Sequence, residues 1–199
     1  MADISIDEIK RLRALTGVGI TDAKQALTDA KGDFDKALAA MRKKGLTKAE
    51  KRAEREARAG LIGSYVHDGR IGVLVEVNCE TDFVAKTDEF KTLVNDLCLH
   101  IAASAPEYVA PDDVPKDIYK SAEAEFTDKA KAEGKADKMV AQIVEGQLKK
   151  YFAEKCLLDQ PFVKKPDQTV GDYVKEHIAK LGENIVVRRF TRYALGEVN

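Results

Sequence analysis

The chain has 199 residues, enough for one large domain or two small ones, and its composition is typical of a soluble globular protein. Its 33 basic and 34 acidic residues nearly cancel, which argues against a general binder of nucleic acids or membrane surfaces. Three cysteines without a C-x-x-C pair favour buried, reduced thiols over a disulfide framework or a zinc site.

The chain starts without a basic segment followed by an apolar one, and it has no continuous apolar run of about 18 residues. We therefore expect neither a secretory signal nor a membrane-spanning helix. We predict a cytoplasmic protein that has no membrane partner and no direct nucleic-acid partner.

Residues 1–45 predict a compact bundle of three short helices. Ser5 and Glu8 fit a capping box, in which each residue satisfies a free amide of the other. A glycine turn then breaks the first helix, and Thr21 is predicted to cap the second. Asp33 is predicted to cap the third, whose apolar residues recur with helical spacing.

Residues 46–59 predict a charged helical linker, because Ala49, Ala53 and Ala57 repeat every four positions as a thin apolar stripe. Basic residues outnumber acidic ones over 42–58. One interpretation is a patch that binds RNA or the ribosome. We favour a solvated helix, because runs of charge mostly serve solubility.

Residues 60–199 predict a core domain built on a small antiparallel sheet. A hairpin is predicted over 61–78, because Asp68–Gly69 between two β-branched runs is typical of a tight turn. The third strand is predicted at 185–195, far downstream of the hairpin. Helices over about 87–181 are expected to cover the sheet, which gives an α+β fold.

Four local signals place elements within that helical region. Pro115 predicts the start of a helix, and Thr169 is predicted to cap the last helix, which Gly182 stops. The segment 160–163 is expected to be extended.

A search for catalytic motifs finds no phosphate-binding loop, dinucleotide fingerprint or H-E-x-x-H motif. No cofactor or metal is expected. A small enzyme with a site assembled from His100, His177 and acidic residues is kept as a hypothesis. For His100 alone we favour a partly buried ring satisfied by a neighbour, since Asp96 precedes it by four positions. Cys79 lacks an adjacent basic residue that could activate its thiol, so a buried strand end is favoured.

The segment that follows the hairpin, Thr81–Val84, combines an acid with a large aromatic at a turn from strand to helix. One interpretation is structural, with Asp82 as a helix cap and Phe83 in the core. The other is functional, with a carboxylate and an aromatic wedge that enter a partner protein from a rigid strand end. The residue types alone favour neither.

Several motifs resemble one family in order along nearly the whole chain. The segment 12–27 resembles the N-terminal module of bacterial elongation factor Ts, a ubiquitin-associated-like three-helix fold, and 76–85 resembles the signature of the same family. Similar matches lie at 100–104, 160–163 and 169–171. The chain resembles the short form, with one core repeat where long members carry two repeats and a coiled-coil insertion.

The resemblance implies a guanine-nucleotide exchange factor that binds the GTPase elongation factor Tu in its GDP state and promotes GDP release. It implies that Thr81–Val84 approaches the Mg²⁺ site of the GTPase. Phe83 would wedge between helices of the G domain, and Asp82 would disturb the hydrogen bonds and waters that hold Mg²⁺. No bond is made or broken, so no enzyme in the hydrolytic sense is implied.

The resemblance also implies further contacts with the GTPase. The residues concerned are Val18, Gly19, Ile20 and Lys24 of the N-terminal module, His100 near the G domain, and Val163 facing another domain. Thr21 and Lys164 stand where the family more often has apolar residues.

Short members of the family are implied to work as homodimers, so that two chains hold two GTPase molecules. The strand at 185–193 is a candidate pairing edge, because an uncovered strand presents unpaired amides and carbonyls. The alternative is that this strand lies inside its own sheet. Arg188, Arg189 and Arg192 would then protect an edge with charge.

Overall fold

The structure is a computed structural model that describes residues 4–16, 18–134 and 136–197. Its helices are α1 (Ile6–Thr16), α2 (Ile20–Asp29), α3 (Phe34–Glu50), α4 (Asp82–Ala85), α5 (Asp88–Ser104), α6 (Lys116–Ala132), α7 (Asp137–Lys155) and α8 (Val170–Leu181). Its strands are β1 (Ala59–His67), β2 (Ile71–Cys79), β3 (Pro161–Phe162), β4 (Lys165–Thr169) and β5 (Ile185–Ala194). Within the described ranges, no helix is both long and apolar enough to cross a membrane. The α+β class predicted from the sequence is confirmed.

Helices α1, α2 and α3 pack around an apolar cluster of their own that includes Leu12, Leu27 and Met41. The predicted capping box is present. The Ser5 amide donates to Glu8 Oε2 at 3.2 Å, and the Glu8 amide donates to Ser5 Oγ at 3.1 Å. Three helices are therefore confirmed here, whereas the likeness to a ubiquitin-associated fold stays a prediction.

Of the N-caps predicted for α2 and α3, the first is wrong and the second is confirmed. Gly19, not Thr21, is the N-cap of α2, because its backbone is already extended and its carbonyl accepts from the Ala23 amide at 3.0 Å. Asp33 does cap α3, since its Oδ1 accepts from the Lys36 amide at 3.0 Å. A helix can begin at the first favourable backbone turn even when a better capping side chain follows.

The predicted helical linker over 46–59 is wrong in its second half. Helix α3 ends at Glu50, and the chain turns before it enters β1. In this turn, hydrogen bonds to distant residues replace those of a helix. The Arg52 guanidinium donates to the Ile178 carbonyl at 3.1 Å, and Asn184 Nδ2 donates to two carbonyls of the turn. These partners come from the other end of the chain and leave no local signal.

The main sheet is antiparallel and three-stranded, as predicted, and its strand order is β1-β2-β5. Asp68 and Gly69 form the tight hairpin turn, with φ angles of 49° and 67°. The inner face packs on α5 and α8 in the main core, whose members include Val75, Val77, Phe90, Leu97, Ile101 and Ile178. Strand β5 pairs with β2 of its own sheet on one side and lies at the edge of the sheet on the other.

The expectation that all the intervening helices cover the sheet is corrected. Helices α6 and α7 pack against each other as a two-helix arm (116–155) with a separate apolar cluster. The Tyr119 ring stacks on Phe152 with ring centroids 5.2 Å apart. Their apolar faces are satisfied by each other, so burial against the sheet is unnecessary. An arm of this kind was not expected for a short form.

Gly63 of β1 permits the close approach of α5 to the sheet. A Cβ atom at this position would overlap Val94 Cγ1 and lie 2.9 Å from Cys98 Sγ. At Gly72 on the neighbouring strand, a Cβ atom would meet nothing within 4 Å.

We predict that Gly63→Ala destabilises the chain by about 1–3 kcal/mol, the usual cost of an overpacked core. Gly72→Ala is the matched control and should be neutral or stabilising by less than about 1 kcal/mol, because it only restricts the unfolded chain. Urea unfolding followed by circular dichroism measures both. Equal stability of the two variants would contradict close packing of β1 on α5.

Candidate functional site

The segment between β2 and α5 forms a short capped turn, which we call the tip (Thr81–Val84). Thr81 has an extended backbone, and its Oγ1 accepts from the Val84 amide at 3.4 Å. Thr81 is therefore the N-cap of α4, and the interpretation of Asp82 as the cap is wrong. Asp82 instead occupies the first position of the helix.

The tip projects Asp82 and Phe83 outward, whereas Val84 and the next residue, Ala85, point inward. Val84 and Ala85 are buried in the main core, whereas Asp82 is exposed. Phe83 is 81% exposed, more than any other large apolar side chain in the described residues. The interpretation that Phe83 tucks into the core is therefore wrong. Leaving a Phe in water forgoes about 1.5–3 kcal/mol of burial. Phe83 is therefore an accessible candidate for contact with a partner.

The cysteine beneath the tip is inert. Cys79 is fully buried at the end of β2, and its Sγ donates to the Thr81 carbonyl at 3.2 Å. Burial, reinforced by the nearby Glu183 carboxylate, raises the pKa of the Cys79 thiol to about 11. Burial likewise raises the pKa values of Cys98 and Cys156 to about 11. All three are free thiols that stay protonated, as the sequence predicted for buried cysteines.

The candidate residues of the N-terminal bundle lie at the junction of α1 and α2. Ile20 is 61% exposed and Lys24 is also exposed, so both are accessible to a partner. Gly19 is exposed, while Val18 is half-buried against the bundle core. The structure therefore places these four residues on a different part of the fold from the tip.

His100 is fully buried on α5, with both ring nitrogens satisfied inside the chain. Its Nδ1 accepts from the Val163 amide at 3.3 Å, so Nε2 carries the proton and donates to Gln160 Oε1 at 2.8 Å. Burial lowers the pKa of His100 below its ordinary value. The prediction that His100 touches a partner is thus at odds with its burial, and its neighbour is Gln160 rather than Asp96.

Val163 lies at the turn between β3 and β4 and is 42% exposed. Lys164 beside it reaches inward, where its Nζ lies 2.6 Å from Asp96 Oδ1. The Tyr173 hydroxyl donates to Asp96 Oδ2 at 2.7 Å, and its ring stacks on Phe162. Burial and the hydrogen bond to Asp96 raise the pKa of Tyr173. This network ties the turn to α5 and α8.

Sequence reasoning missed the residues that support the turn. Asp96 and Tyr173 are separated by 77 positions, and His100 and Gln160 by 60. No local pattern links such pairs. A charged Lys164 in place of an apolar residue was the one visible signal, and its partner Asp96 explains it.

The hypothesis of a small enzyme gains no support from the geometry. His177 contacts Glu89 Oε1 at 3.2 Å and the Tyr173 carbonyl at 2.9 Å, whereas His100 is held by Gln160. The two histidines thus serve separate hydrogen-bond networks. In the part of the chain that the structure describes, no group of three His, Cys, Asp or Glu side chains could hold a metal ion.

Several cations of the basic stretch 42–58 have partners within the chain. Lys44 pairs with Asp22, Arg55 with Glu80, and Arg58 with Glu56. Arg52 donates to a backbone carbonyl of α8. Cations already held by the chain are less suited to neutralise phosphates, so nothing in this geometry favours RNA binding.

Comparison with known proteins agrees with the motifs. The family model described as elongation factor TS matches residues 46–197. The chain belongs to the elongation factor Ts family. Elongation factor Ts of Moorella thermoacetica is 53% identical and is aligned over 98% of this chain and 96% of its own length. The Desulfosudis oleivorans protein of the same name is 48% identical over 99% of this chain and its own full length. The family resemblance stated from the motifs is thus confirmed.

The buried His100 predicts a specific pH dependence of stability. The pKa of His100 is lowered in the folded chain from its ordinary value of 6.5. As the pH falls below 6.5, the imidazole is therefore protonated in the unfolded chain before it is protonated in the folded chain. The stabilisation is complete above that pH and is lost below it, by at most about 1.4 kcal/mol per pH unit.

The free energy of unfolding, measured with urea between about pH 7.5 and about pH 5, should therefore fall less steeply in His100→Gln than in the wild type. His67→Gln, which removes the exposed imidazole at the end of β1, is the control for the loss of a histidine as such. Parallel slopes for His100→Gln and the wild type would contradict a neutral, buried His100.

Proposed function

We propose that this chain is a guanine-nucleotide exchange factor for elongation factor Tu in translation elongation. It binds the GDP-bound GTPase and promotes release of GDP, without bond-making chemistry of its own. Membership of the elongation factor Ts family supports this activity. The observation that carries the proposal is Phe83, which projects into solvent beside Asp82 from a capped and buried base.

Phe83 acts as the wedge between helices of the G domain. A phenylalanine side chain offers about 150–250 Å² of apolar area that is removed from water on binding. Its base is already ordered by the Thr81 cap and by the burial of Val84. Little conformational entropy is then lost on binding, so more of the burial energy separates the helices.

Asp82 acts on the magnesium site of the bound GTPase. Its carboxylate, next to the wedge, competes for the hydrogen bonds and waters that hold Mg²⁺ against the nucleotide phosphates. Loss of that support weakens GDP binding. By thermodynamic linkage, nucleotide weakens binding of this chain by the same factor, so GTP can later displace it.

Two further surfaces hold the GTPase during exchange. Ile20 and Lys24, together with Val18 and Gly19 at the same junction, form the contact of the N-terminal bundle. Val163 contacts another domain from the β3–β4 turn. His100 serves this second contact indirectly, because it holds the Val163 amide rather than the partner.

We predict that Phe83→Ala and Asp82→Ala each slow release of GDP from elongation factor Tu by about 10- to 100-fold, as expected for truncated interface hot spots. The measurement is stopped-flow release of a fluorescent GDP analogue at increasing concentrations of this chain.

Met139→Ala is the matched control, since Met139 is an exposed apolar residue on the two-helix arm. It should leave the rate of release unchanged. Wild-type acceleration that survives both tip substitutions would place the working surface elsewhere. No acceleration by the wild type, with a GTPase active toward another exchange factor, would contradict the exchange function itself.

We further propose that two copies pair and hold two GTPase molecules. The outer face of the sheet supports this, because it carries exposed apolar side chains from all three strands, Ile62, Val66, Leu74 and Tyr193. A face that meets its own copy about a two-fold axis is self-complementary. This face is a better candidate than the β5 edge alone, because only the face gathers apolar side chains from all three strands.

Leu74→Lys should convert the dimer to a monomer at micromolar concentration, because it buries a charge at the centre of the apolar face. Ile118→Lys, which places the same charge on the exposed surface of α6, is the control and should stay dimeric. Light scattering after gel filtration gives both masses. A monomeric wild type, or a dimeric Leu74→Lys, would contradict pairing through this face.

A further inference from the structure

The loop between α8 and β5 is hydrogen-bonded to Thr81, the first residue of the tip. The Glu183 carboxylate accepts two hydrogen bonds from Thr81, one from the backbone amide at 3.0 Å and one from the hydroxyl at 2.7 Å. The two residues are 102 positions apart. Hydrogen bonds to an ionised carboxylate are stronger than those between neutral groups, so this is the firmest polar attachment of Thr81.

The same contact decides how Thr81 caps α4. The hydroxyl gives its proton to Glu183, so the lone pairs of Oγ1 are aimed at the Val84 amide. Without the carboxylate the hydroxyl can rotate and donate elsewhere, as serine and threonine hydroxyls do. The orientation of the first turn of α4, from which Asp82 and Phe83 project, therefore depends on Glu183.

Asn184 extends the attachment to the segment that comes from the bundle. Its amide donates to Glu80 Oε1 at 2.6 Å, and its side chain donates to the carbonyls of Ala53 and Arg55. The Arg55 guanidinium lies 3.5 Å from Glu80. Asn184 is only 2% exposed, so its own hydrogen bonds are partly shielded from water.

We propose that Glu183 is a positioning residue for exchange, one that holds the tip so that Phe83 and Asp82 leave the surface in a single direction. The proposal rests on the exchange function proposed above. Glu183 acts through Thr81 and has no contact with the nucleotide. Removal of the Glu183 carboxylate should leave the tip folded, but Phe83 and Asp82 should no longer project in one fixed direction.

A variant with a misdirected tip and a variant with reduced stability should differ in their kinetics of GDP release. A variant that is partly unfolded supplies less active chain, so a higher total concentration is needed for half-saturation while the maximum rate of GDP release is kept. A variant with a misdirected tip still binds through the bundle and Val163. Its maximum rate falls, because the wedge is used in the step that expels the nucleotide.

The experiment compares Glu183→Ala with Glu107→Ala in the full chain, using stopped-flow release of a fluorescent GDP analogue. Glu107 is the matched control, because its carboxylate also accepts two hydrogen bonds, from Lys155 at the base of the arm. For Glu183→Ala we expect a maximum rate lower by about tenfold, and a half-saturating concentration within about threefold of the wild type. Glu107→Ala should match the wild type in both.

A second readout needs no GTPase. Amide hydrogen exchange of the free chain, followed by NMR, should show faster exchange at Thr81 and Val84 in Glu183→Ala and not in Glu107→Ala. In a Thr81→Val background, Glu183→Ala should cause a smaller further loss of maximum rate, because the hydroxyl that it orients is already gone.

Two results would overturn the proposal. One is an unchanged maximum rate in Glu183→Ala, whether or not the tip amides exchange faster. The other is unchanged exchange at the Thr81 and Val84 amides. Failure of the exchange function itself is a separate result, because it would appear in the wild type as an absence of accelerated GDP release.

Discussion

The packing of α5 against the inner face of the sheet is the constraint on which both candidate contact surfaces depend. Gly63 leaves room for the helix, and Phe90, Leu97 and Ile101 fill the space between the helix and the strands. The tip leads into the start of α5. The side chains that hold the Val163 turn, Asp96 and His100, lie in its later turns. One rigid helix, about 25 Å long at 1.5 Å per residue, therefore sets the separation of the two surfaces.

The exposed residues that we propose as contacts project from buried polar or apolar supports. Phe83 projects from a turn whose next two residues are in the core, and Val163 from a turn whose amide is held by a buried histidine. Such supports lower the conformational entropy that is lost on binding, because they fix the direction in which the exposed side chain projects. Under the proposed mechanism this rigidity matters, because a flexible wedge would move before it separated the helices of its partner.

The two-helix arm is built differently. Helices α6 and α7 share a cluster of their own, and Tyr108 beside it makes an isolated bridge to Cys156. The arm can therefore vary without disturbing the packing of α5 on the sheet. This independence explains why the helices expected over 87–181 are present here, although these two do not cover the sheet.

Although the caps expected at Thr21 and Asp82 were each misplaced, the sequence by itself determined several features that depend on residues within about four positions of one another. These are the Ser5–Glu8 box, the Asp68–Gly69 turn, the Thr169 cap and the Gly182 stop, and the motifs also gave the family. Only the tertiary structure decided that α3 ends at Glu50, that Gln160 satisfies His100, and that Glu183 holds Thr81. The reason is physical. Local capping and periodicity are written in neighbouring residues, whereas a hydrogen bond between groups 60 or 102 positions apart exists only after the core has brought them together.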